Sequence, residues 1–263
     1  MLKRRLIPVL FLKNGLIVRS ERFSYHQNLG NPLLEVKRYS EWNVDELIYI
    51  DISREKYYDL RRDDQKITGK DNLLDIIRDI SRVCFMPLTF GGGIRSIEDI
   101  GRRISCGADK ITINSAAIDD PDFIAQSSRV FGSQCIVVSI DYRYLDGKPR
   151  VFKGGVEETG LDPVAWAQEA EQKGAGEIFL NCMDRDGTAE GYDIGLIRKA
   201  AAAVRIPVIA CGGAGEFSDF VSVASQTDVS AIAAGNIFHF TELAYPRAKE
   251  ALVSAGINVR KAG

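Results

Sequence analysis

Histidine is scarce in this sequence, with only His26 and His239 among 263 residues. So few imidazole groups argue against a histidine-based metal centre or catalytic triad, and we expect neither a metal ion nor an organic cofactor. Cysteines are odd in number, scattered and never spaced as C-x-x-C. We therefore expect reduced core or pocket residues of a cytoplasmic protein, rather than disulfides or metal ligands, at Cys84, Cys106, Cys135, Cys182 and Cys211.

Long apolar runs and an excess of one charge are also absent. The run at 6–12 follows Lys3-Arg4-Arg5 and imitates a signal peptide, but Pro8 interrupts it and no small-residue cleavage site follows. We interpret this run as the first β-strand. The chain has 34 basic and 36 acidic residues, so its charge indicates neither a nucleic acid nor a membrane surface as a partner.

Two glycine-rich stretches resemble each other, at 87–94 (PLTFGGGI) and 207–215 (PVIACGGAG). Each contains an apolar strand and precedes a helix-length segment and a second apolar strand. Gly92 stands 23 residues before Ser115, and Gly213 stands 23 residues before Asn236. This repeat predicts an internal duplication of two half-barrels. Because glycine turns let backbone N–H groups approach an anion, each half is predicted to bind a phosphate with two consecutive βα loops.

Strand-like and helix-like segments alternate along most of the chain. Eight near-continuous apolar strands with helices between them predict a single-domain (βα)8 TIM barrel over residues 1–263. The segment between the first two strands has no clear assignment. The predicted strands are 6–12, 46–52, 86–90, 110–114, 135–141, 177–181, 207–210 and 229–234, and the predicted helices are 71–83, 97–106, 121–131, 163–173, 194–204, 217–225 and 243–255.

The two faces of such a barrel assign different roles to polar residues. The active face lies at the C-terminal ends of the strands, where we predict functional carboxylates at Asp141 and Asp186 and leave Asp51 undecided. At the opposite face, two cations and two anions stand at strand starts and predict a charged ring. From these residues alone, ordinary salt-bridge closure of the barrel floor is the favoured interpretation for Arg5, Glu46, Lys110 and Glu177.

Several longer motifs point to one family. They stand at 91–94 (GGGI), 107–110 (GADK), 114–117 (NSAA), 131–134 (FGSQ), 174–178 (GAGEI), 184–188 (DRDGT), 191–193 (GYD), 212–215 (GGAG), 238–240 (FHF) and 258–260 (NVR). With them the chain resembles the cyclase subunit of imidazole glycerol phosphate synthase nearly end to end. The DRDGT run separates it from the sister isomerase of the same pathway, which shares the barrel and the phosphate loops.

The resemblance implies a partner, a route for ammonia and a set of site residues. In this family a glutaminase docks at the barrel floor, and ammonia passes through a charged gate that matches Arg5, Glu46, Lys110 and Glu177. Asp141 matches one of two catalytic aspartates, on the fifth strand. A phosphorylated or nucleotide-linked small molecule is the expected substrate, bound by Gly92, Gly93, Asn114, Ser115, Asp186, Gly187, Gly213, Gly235 and Asn236.

The chain departs from the family pattern in its first units. Phe11 stands where the resemblance implies the second catalytic aspartate, on the first strand, and a phenylalanine transfers no proton. Arg19 stands in place of an expected lysine on the first loop. The charged segment 53–66, which includes Tyr57 and Tyr58, is interpreted either as a lid or docking loop or as a solvated connection.

These departures resemble a branch of the family associated with surface-polysaccharide genes. There the barrel and its glutaminase are thought to supply ammonia for converting an acetamido sugar into an acetamidino sugar. This is the leading hypothesis. The second is a true cyclase-lyase of histidine biosynthesis, and the third is a non-catalytic subunit that activates the glutaminase.

Overall fold

The computed structural model describes residues 3–53, 58 and 72–260. The proposed lid segment at 53–66 therefore lies almost entirely outside the described residues. The described strands are β1 (Arg5–Lys13), β2 (Leu16–Glu21), β3 (Tyr25–Gly30), β4 (Leu47–Asp51), β5 (Leu88–Gly91), β6 (Lys110–Ile113), β7 (Ile136–Leu145), β8 (Lys148–Lys153), β9 (Glu157–Glu158), β10 (Glu177–Cys182), β11 (Val208–Cys211) and β12 (Ala231–Ala234). The described helices are α1 (Pro32–Glu41), α2 (Leu73–Ser81), α3 (Ile97–Ser105), α4 (Ser115–Asp119), α5 (Asp122–Phe131), α6 (Pro163–Gln172), α7 (Ile194–Ala203), α8 (Phe217–Gln226), α9 (Ile237–Phe240) and α10 (Ala244–Ser254).

Eight of the strands form a closed parallel barrel. Their order is β1, β4, β5, β6, β7, β10, β11 and β12, and β12 pairs back to β1. Helices alternate with these strands along the chain, so the predicted (βα)8 TIM barrel is confirmed. None of the described helices is long and apolar enough to cross a membrane.

Two antiparallel hairpins extend the barrel at the face where its strands end. β2 turns back on the end of β1 through Asn14 and Gly15, whose φ angles are 51° and 77°. β8 turns back on the extended β7 through Asp146 and Gly147, with φ angles of 50° and 74°. Asn-Gly and Asp-Gly favour such two-residue turns because both positions need a positive φ. The unassigned segment after the first strand is therefore largely a hairpin followed by α1.

Side chains that cap the helices explain several helix starts. The predicted start at Asp162-Pro163 is confirmed, since Asp162 accepts hydrogen bonds from the N–H groups of Val164 and Ala165. At Asp120-Pro121 the helix begins slightly later, at Asp122, whose N–H donates to the Asp120 carboxylate at 3.0 Å.

The apolar core has two parts because side chains alternate along each strand. Along β1, Leu6, Leu10 and Leu12 pack outward against the helices. Ile7, Val9 and Phe11 instead belong to a smaller cluster inside the barrel. The alternation identifies the inward position on each strand, and it is these positions that carry the polar residues described next.

Candidate active site

Asp141 lies at the C-terminal end of the barrel interior, on β7. It stands beside Asn181 of β10 in the parallel register. Asn181 Nδ2 donates to Asp141 Oδ1 at 3.0 Å, and Asn114 Nδ2 approaches Oδ2 at 3.4 Å. The structure thus brings the predicted residues Asp141 and Asn114 together with Asn181, which ends the predicted strand 177–181.

Burial raises the pKa of the Asp141 carboxyl to about 6. The hydrogen bond from Asn181 opposes this rise, the negative charge of Asp186 adds to it, and a hydrogen bond with Ser139 opposes it again. A carboxyl group with this pKa can exchange a proton near neutral pH, as a general acid or base requires.

Asp186 lies at the same mouth, on the loop after β10, and holds the first hairpin. Its carboxylate accepts hydrogen bonds from Ser20 Oγ at 2.6 Å and from the N–H of Phe23 at 3.3 Å, and its carbonyl accepts from the N–H of Arg22 at 2.8 Å. Burial raises the pKa of Asp186 against these side-chain and backbone bonds, and the charge of Glu21 adds to the rise. Asp186 therefore holds the turn between β2 and β3 in place at the mouth of the barrel.

Phe11 presents an apolar surface at this mouth. Its side chain is 6% exposed and meets Phe23 edge-on, with ring centroids 5.9 Å apart. Val18 of β2 lies opposite Phe11 in the antiparallel register and joins the same interior cluster. The inward end of β1 thus carries a phenyl ring packed under the hairpin, and Asp141 is left without a carboxylate from this strand.

The first glycine-rich loop joins β5 to α3. Gly92 and Gly93 have φ angles of 99° and 64°, and a Cβ on Gly92 would collide with the carbonyl of Asp51. The next strand, β6, ends beside it with Asn114, whose amide oxygen accepts the N–H of Gly154 at 2.8 Å, and with Ser115 at the start of α4.

The second glycine-rich loop joins β11 to α8. Gly212 and Gly213 have φ angles of 97° and 109°. A Cβ on Gly213 would collide with the carbonyl of Gly191, to which this loop is paired. Counting from the strand ends, Gly92 corresponds to Gly212, one residue away from the match of equal spacings, because α8 is one residue longer than α3.

Asn236 and Gly187 meet at the hairpin. Asn236 follows the β12 strand and Gly235, and its Nδ2 donates to the carbonyl of Ser20 at 2.7 Å. A Cβ on Gly187 would collide with that same carbonyl and crowd Asn236. These two predicted binding residues therefore line the mouth together, with Ser20 between them and Asp186.

The four charged residues at the other end form a closed ring. Lys110 Nζ lies 3.0 Å from Glu46 Oε1 and 3.0 Å from Glu177 Oε2, and Arg5 forms ion pairs with both carboxylates. Glu46 is 2% and Glu177 5% exposed. Burial opposes the charge of Arg5, but Glu177 and Glu46 outweigh it and raise its pKa. The ring predicted from the sequence thus exists as a buried four-membered network.

Polar side chains lead from this ring along one side of the interior. Thr89 of β5 donates to Glu46 Oε1 at 2.9 Å. Thr112 of β6 is 4% exposed, and no group in the described part of the chain forms a hydrogen bond with its hydroxyl. Ser139 of β7 lies one inward position below Asp141. The opposite side, with Ile7, is apolar.

Sequence reasoning missed several of these residues. Ser20 and Phe23 lie in the segment that had no assignment, although Asn14-Gly15 is a typical hairpin turn and could have predicted that β2 folds back on β1. Thr89, Thr112 and Ser139 alternate with outward apolar residues, so the period-two pattern of their strands was the available signal.

The fold and the mouth define a (βα)8-barrel protein with carboxylates at the C-terminal face and a charged ring at the floor. A family model described as histidine biosynthesis protein matches residues 5–244. Imidazole glycerol phosphate synthase subunit HisF from Caulobacter vibrioides, in strains NA1000 / CB15N and ATCC 19089 / CIP 103742 / CB 15, is 40% identical over 263 residues, covering 99% of this chain and 97% of the relative. The chain belongs to the histidine biosynthesis protein family and is similar to its HisF subunits.

Proposed function

We propose that this chain is the ammonia-receiving barrel of a glutamine-dependent enzyme system, and that it serves the formation of an acetamidino group on a phosphorylated or nucleotide-linked sugar of a surface polysaccharide. Its partner is a glutaminase that docks at the barrel floor. The observation that carries the proposal is an intact charged ring combined with a phenyl ring, Phe11, at the position of the second acid–base group.

The floor supports the ammonia route. Each carboxylate of the ring contacts both cations, so the ring closes the lower end of the barrel. Movement of one side chain, such as Lys110, would open it towards the polar side of the interior. Thr112 offers an unpartnered hydroxyl there, which suits a small neutral molecule that donates and accepts hydrogen bonds.

The mouth supports the assignment of the acceptor. Cyclisation by acid–base catalysis uses two groups with separate roles, and Asp141 lies opposite an apolar surface formed by Phe11, Phe23 and Val18. In this proposal, the ionised Asp141 accepts a proton from an ammonium ion at the mouth and leaves neutral ammonia as the nucleophile. Asp186, Gly187 and Asn236 orient the ligand beside it.

The glycine loops support a phosphorylated ligand. Gly92, Gly93 and Ser115 form one candidate phosphate site, and Gly213, Gly235 and Asn236 form the other. At Gly92 and Gly213 a side chain would collide with backbone carbonyls, so glycine is required for the close packing of these loops.

The second candidate function is the cyclase-lyase reaction of imidazole glycerol phosphate synthase. The HisF relatives favour it, and Asp186 offers a second buried carboxyl whose charge already acts on Asp141. In this case Asp186 would replace the strand-one aspartate as the acid–base partner.

Ammonia transfer in a reconstituted mixture tests the proposal. The barrel, its cognate glutaminase and a separate amidotransferase that acts on the sugar would be incubated with an acetamido sugar and glutamine labelled with ¹⁵N in the side-chain amide. We expect labelled acetamidino product only when the barrel is present. Stimulated glutamine hydrolysis without labelled product would instead indicate the non-catalytic activator, the third hypothesis.

A further inference from the structure

Arg103 is a buried cation beneath the first glycine-rich loop. It lies on α3, seven positions after the capping residue Ser96, and only 7% of it is exposed. An arginine at this depth normally has a carboxylate partner, because an uncompensated buried charge is costly.

The hydrogen-bond partners of Arg103 leave its charge uncompensated. Nη2 donates to the carbonyl of Gly92 at 2.7 Å and Nη1 to the carbonyl of Asp99 at 3.1 Å. Nε is buried and has no hydrogen-bond partner among the described residues. In the described part of the chain, no carboxylate oxygen lies within the 4.0 Å of an ion pair with it. Burial lowers the pKa of Arg103, and the more distant charges of Asp99 and Asp51 only partly oppose this.

The guanidinium group lies directly against the loop. A Cβ built on Gly93 would stand 3.7 Å from Arg103 Nη2, so the cation lies within van der Waals reach of the turn. The N-terminus of α3, a nine-residue helix, points at the same turn and adds its partial positive charge.

The second half of the barrel lacks this cation. Seven positions after the cap of α8, Glu216, the chain has Val223, which is fully buried. The cation beside the second loop is instead the half-buried Arg185, which donates to the carbonyls of Glu190 and Gly191. The two loops therefore have similar backbones and differ in how deeply the neighbouring arginine is buried, which gives an internal comparison within one molecule.

We propose that the phosphate dianion of the substrate completes the charge balance of Arg103, so that the Gly92–Gly93 loop is the tighter of the two phosphate sites. The proposal rests on the phosphorylated substrate proposed above and adds to it a specificity-determining residue and an order of affinity.

Titration with inorganic phosphate, followed by ¹H–¹⁵N NMR at the Gly93 and Gly213 amides, tests the proposal. We expect Arg103→Met to raise the Kd reported by Gly93 at least tenfold, about 1.4 kcal/mol, and to leave the Gly213 response unchanged. Arg102→Met is the matched control, since Arg102 is an exposed neighbour on the same helix that pairs with Glu98 at 2.6 Å.

The unfolding temperature of Arg103→Met shows whether weaker phosphate binding comes from the lost charge or from a damaged fold. Without phosphate, Arg103→Met should unfold at the same or a higher temperature than the wild type, because an unpaired buried charge is removed. Arg103→Lys keeps the charge and is the second variant. We expect it to bind phosphate at Gly93 more tightly than Arg103→Met does.

Equal phosphate affinity at Gly93 in the wild type and Arg103→Met would overturn the proposal, as would a wild type whose Gly93 amide shows no saturable response. Arg103→Lys binding as weakly as Arg103→Met would also overturn it. The titration uses neither glutaminase nor ammonia. Failed ammonia transfer with phosphate still bound at Gly93 would therefore count against the proposed function alone.

Discussion

At the scale of single residues, two carboxyl groups define the chemistry of the mouth. Asp141 is held by Asn181, and Asp186 is held by Ser20 and the turn of the hairpin. Burial raises the pKa of both. Burial suits Asp141 to the proposed role of proton acceptor, but it also makes the ionised carboxylate unfavourable in the folded protein. Ionisation of Asp141 should therefore lower the free energy of unfolding, and this decrease can be measured.

Asp141→Asn should show this cost as a pH-dependent gain in stability. The pKa of Asp141 is about 6 in the folded protein, above the 3.8 of an ordinary aspartate, so the native state binds the proton more tightly. The stabilising effect of that proton is fully present well below the unfolded pKa of 3.8 and is lost as pH rises to 6, which amounts to about 3 kcal/mol in total. Relative to the wild type, the variant should gain about 2 kcal/mol of unfolding free energy between pH 4 and pH 7, where most of this loss falls.

Urea unfolding of both proteins at several pH values measures this difference. A free-energy difference between wild type and variant that stays constant from pH 4 to pH 7 would contradict the raised pKa. Asn181→Ala serves as a comparison, because it removes a hydrogen bond that lowers the pKa of Asp141. In this variant the loss of unfolding free energy should continue to a higher pH than in the wild type.

At the scale of elements, the hairpin of β2 and β3 lies over the mouth of the barrel and is held there by the hydrogen bond from Ser20 to Asp186. Ser20→Ala removes the bond to Asp186 Oδ2 and leaves the bond from the N–H of Phe23. A hydrogen bond to a charged group contributes about 1.5 kcal/mol or more, so amide exchange in the hairpin should quicken roughly tenfold. Exchange in β7 and β10 should not change.

Ser24→Ala is the matched control for the hairpin. Ser24 lies in the same turn, and its hydroxyl donates only to the carbonyl of Glu21 at 3.2 Å on the exposed side. Equal exchange rates in the two variants would show that the hydrogen bond from Ser20 to Asp186 does not hold the hairpin.

The charged ring is the second element with a measurable role. Lys110→Met leaves Glu46 and Glu177 with Arg5 alone, and should cost roughly 2 kcal/mol of stability, less than a fully buried pair because Lys110 is 21% exposed. It should also open the floor. In the reconstituted system, more than one glutamine should then be consumed for each product formed.

Lys153→Met provides the control for the ring, since Lys153 forms ion pairs with Asp119 and Glu157 at the surface. It should change neither stability nor the ratio of glutamine to product. A Lys110→Met protein that consumes one glutamine for each product formed and has wild-type stability would argue against the ring as a gate.

The elements also show what the sequence could predict. The eight barrel strands were predictable because each is a short apolar run between turn signals, as at 177–181. The hairpins were missed because their strands are partly polar, although Asn14-Gly15 and Asp146-Gly147 carry the required turn chemistry. The place of Arg103 could not be predicted, since its burial depends on packing between α3 and a loop eleven residues earlier.

At the scale of the whole molecule, the barrel separates two tasks. The floor carries buried, mutually paired charges, and the mouth carries carboxylates, amides and glycine loops. Under their glycine loops the duplicated halves differ at one matched helix position, where Arg103 in the first half corresponds to Val223 in the second. The protein keeps the architecture of its family, and Phe11 occupies the inward end of β1.

Steady-state turnover of the formimino-ribulosyl cyclase substrate with an ammonium salt tests the central claim most directly. The wild-type barrel should show no cyclase turnover, because Phe11 offers no proton to pair with Asp141. Phe11→Asp should fold with reduced stability, and any cyclase activity that it gains would support divergence from the cyclase. Wild-type turnover of about 1 per second or more would contradict the account and favour the cyclase-lyase, the second candidate function.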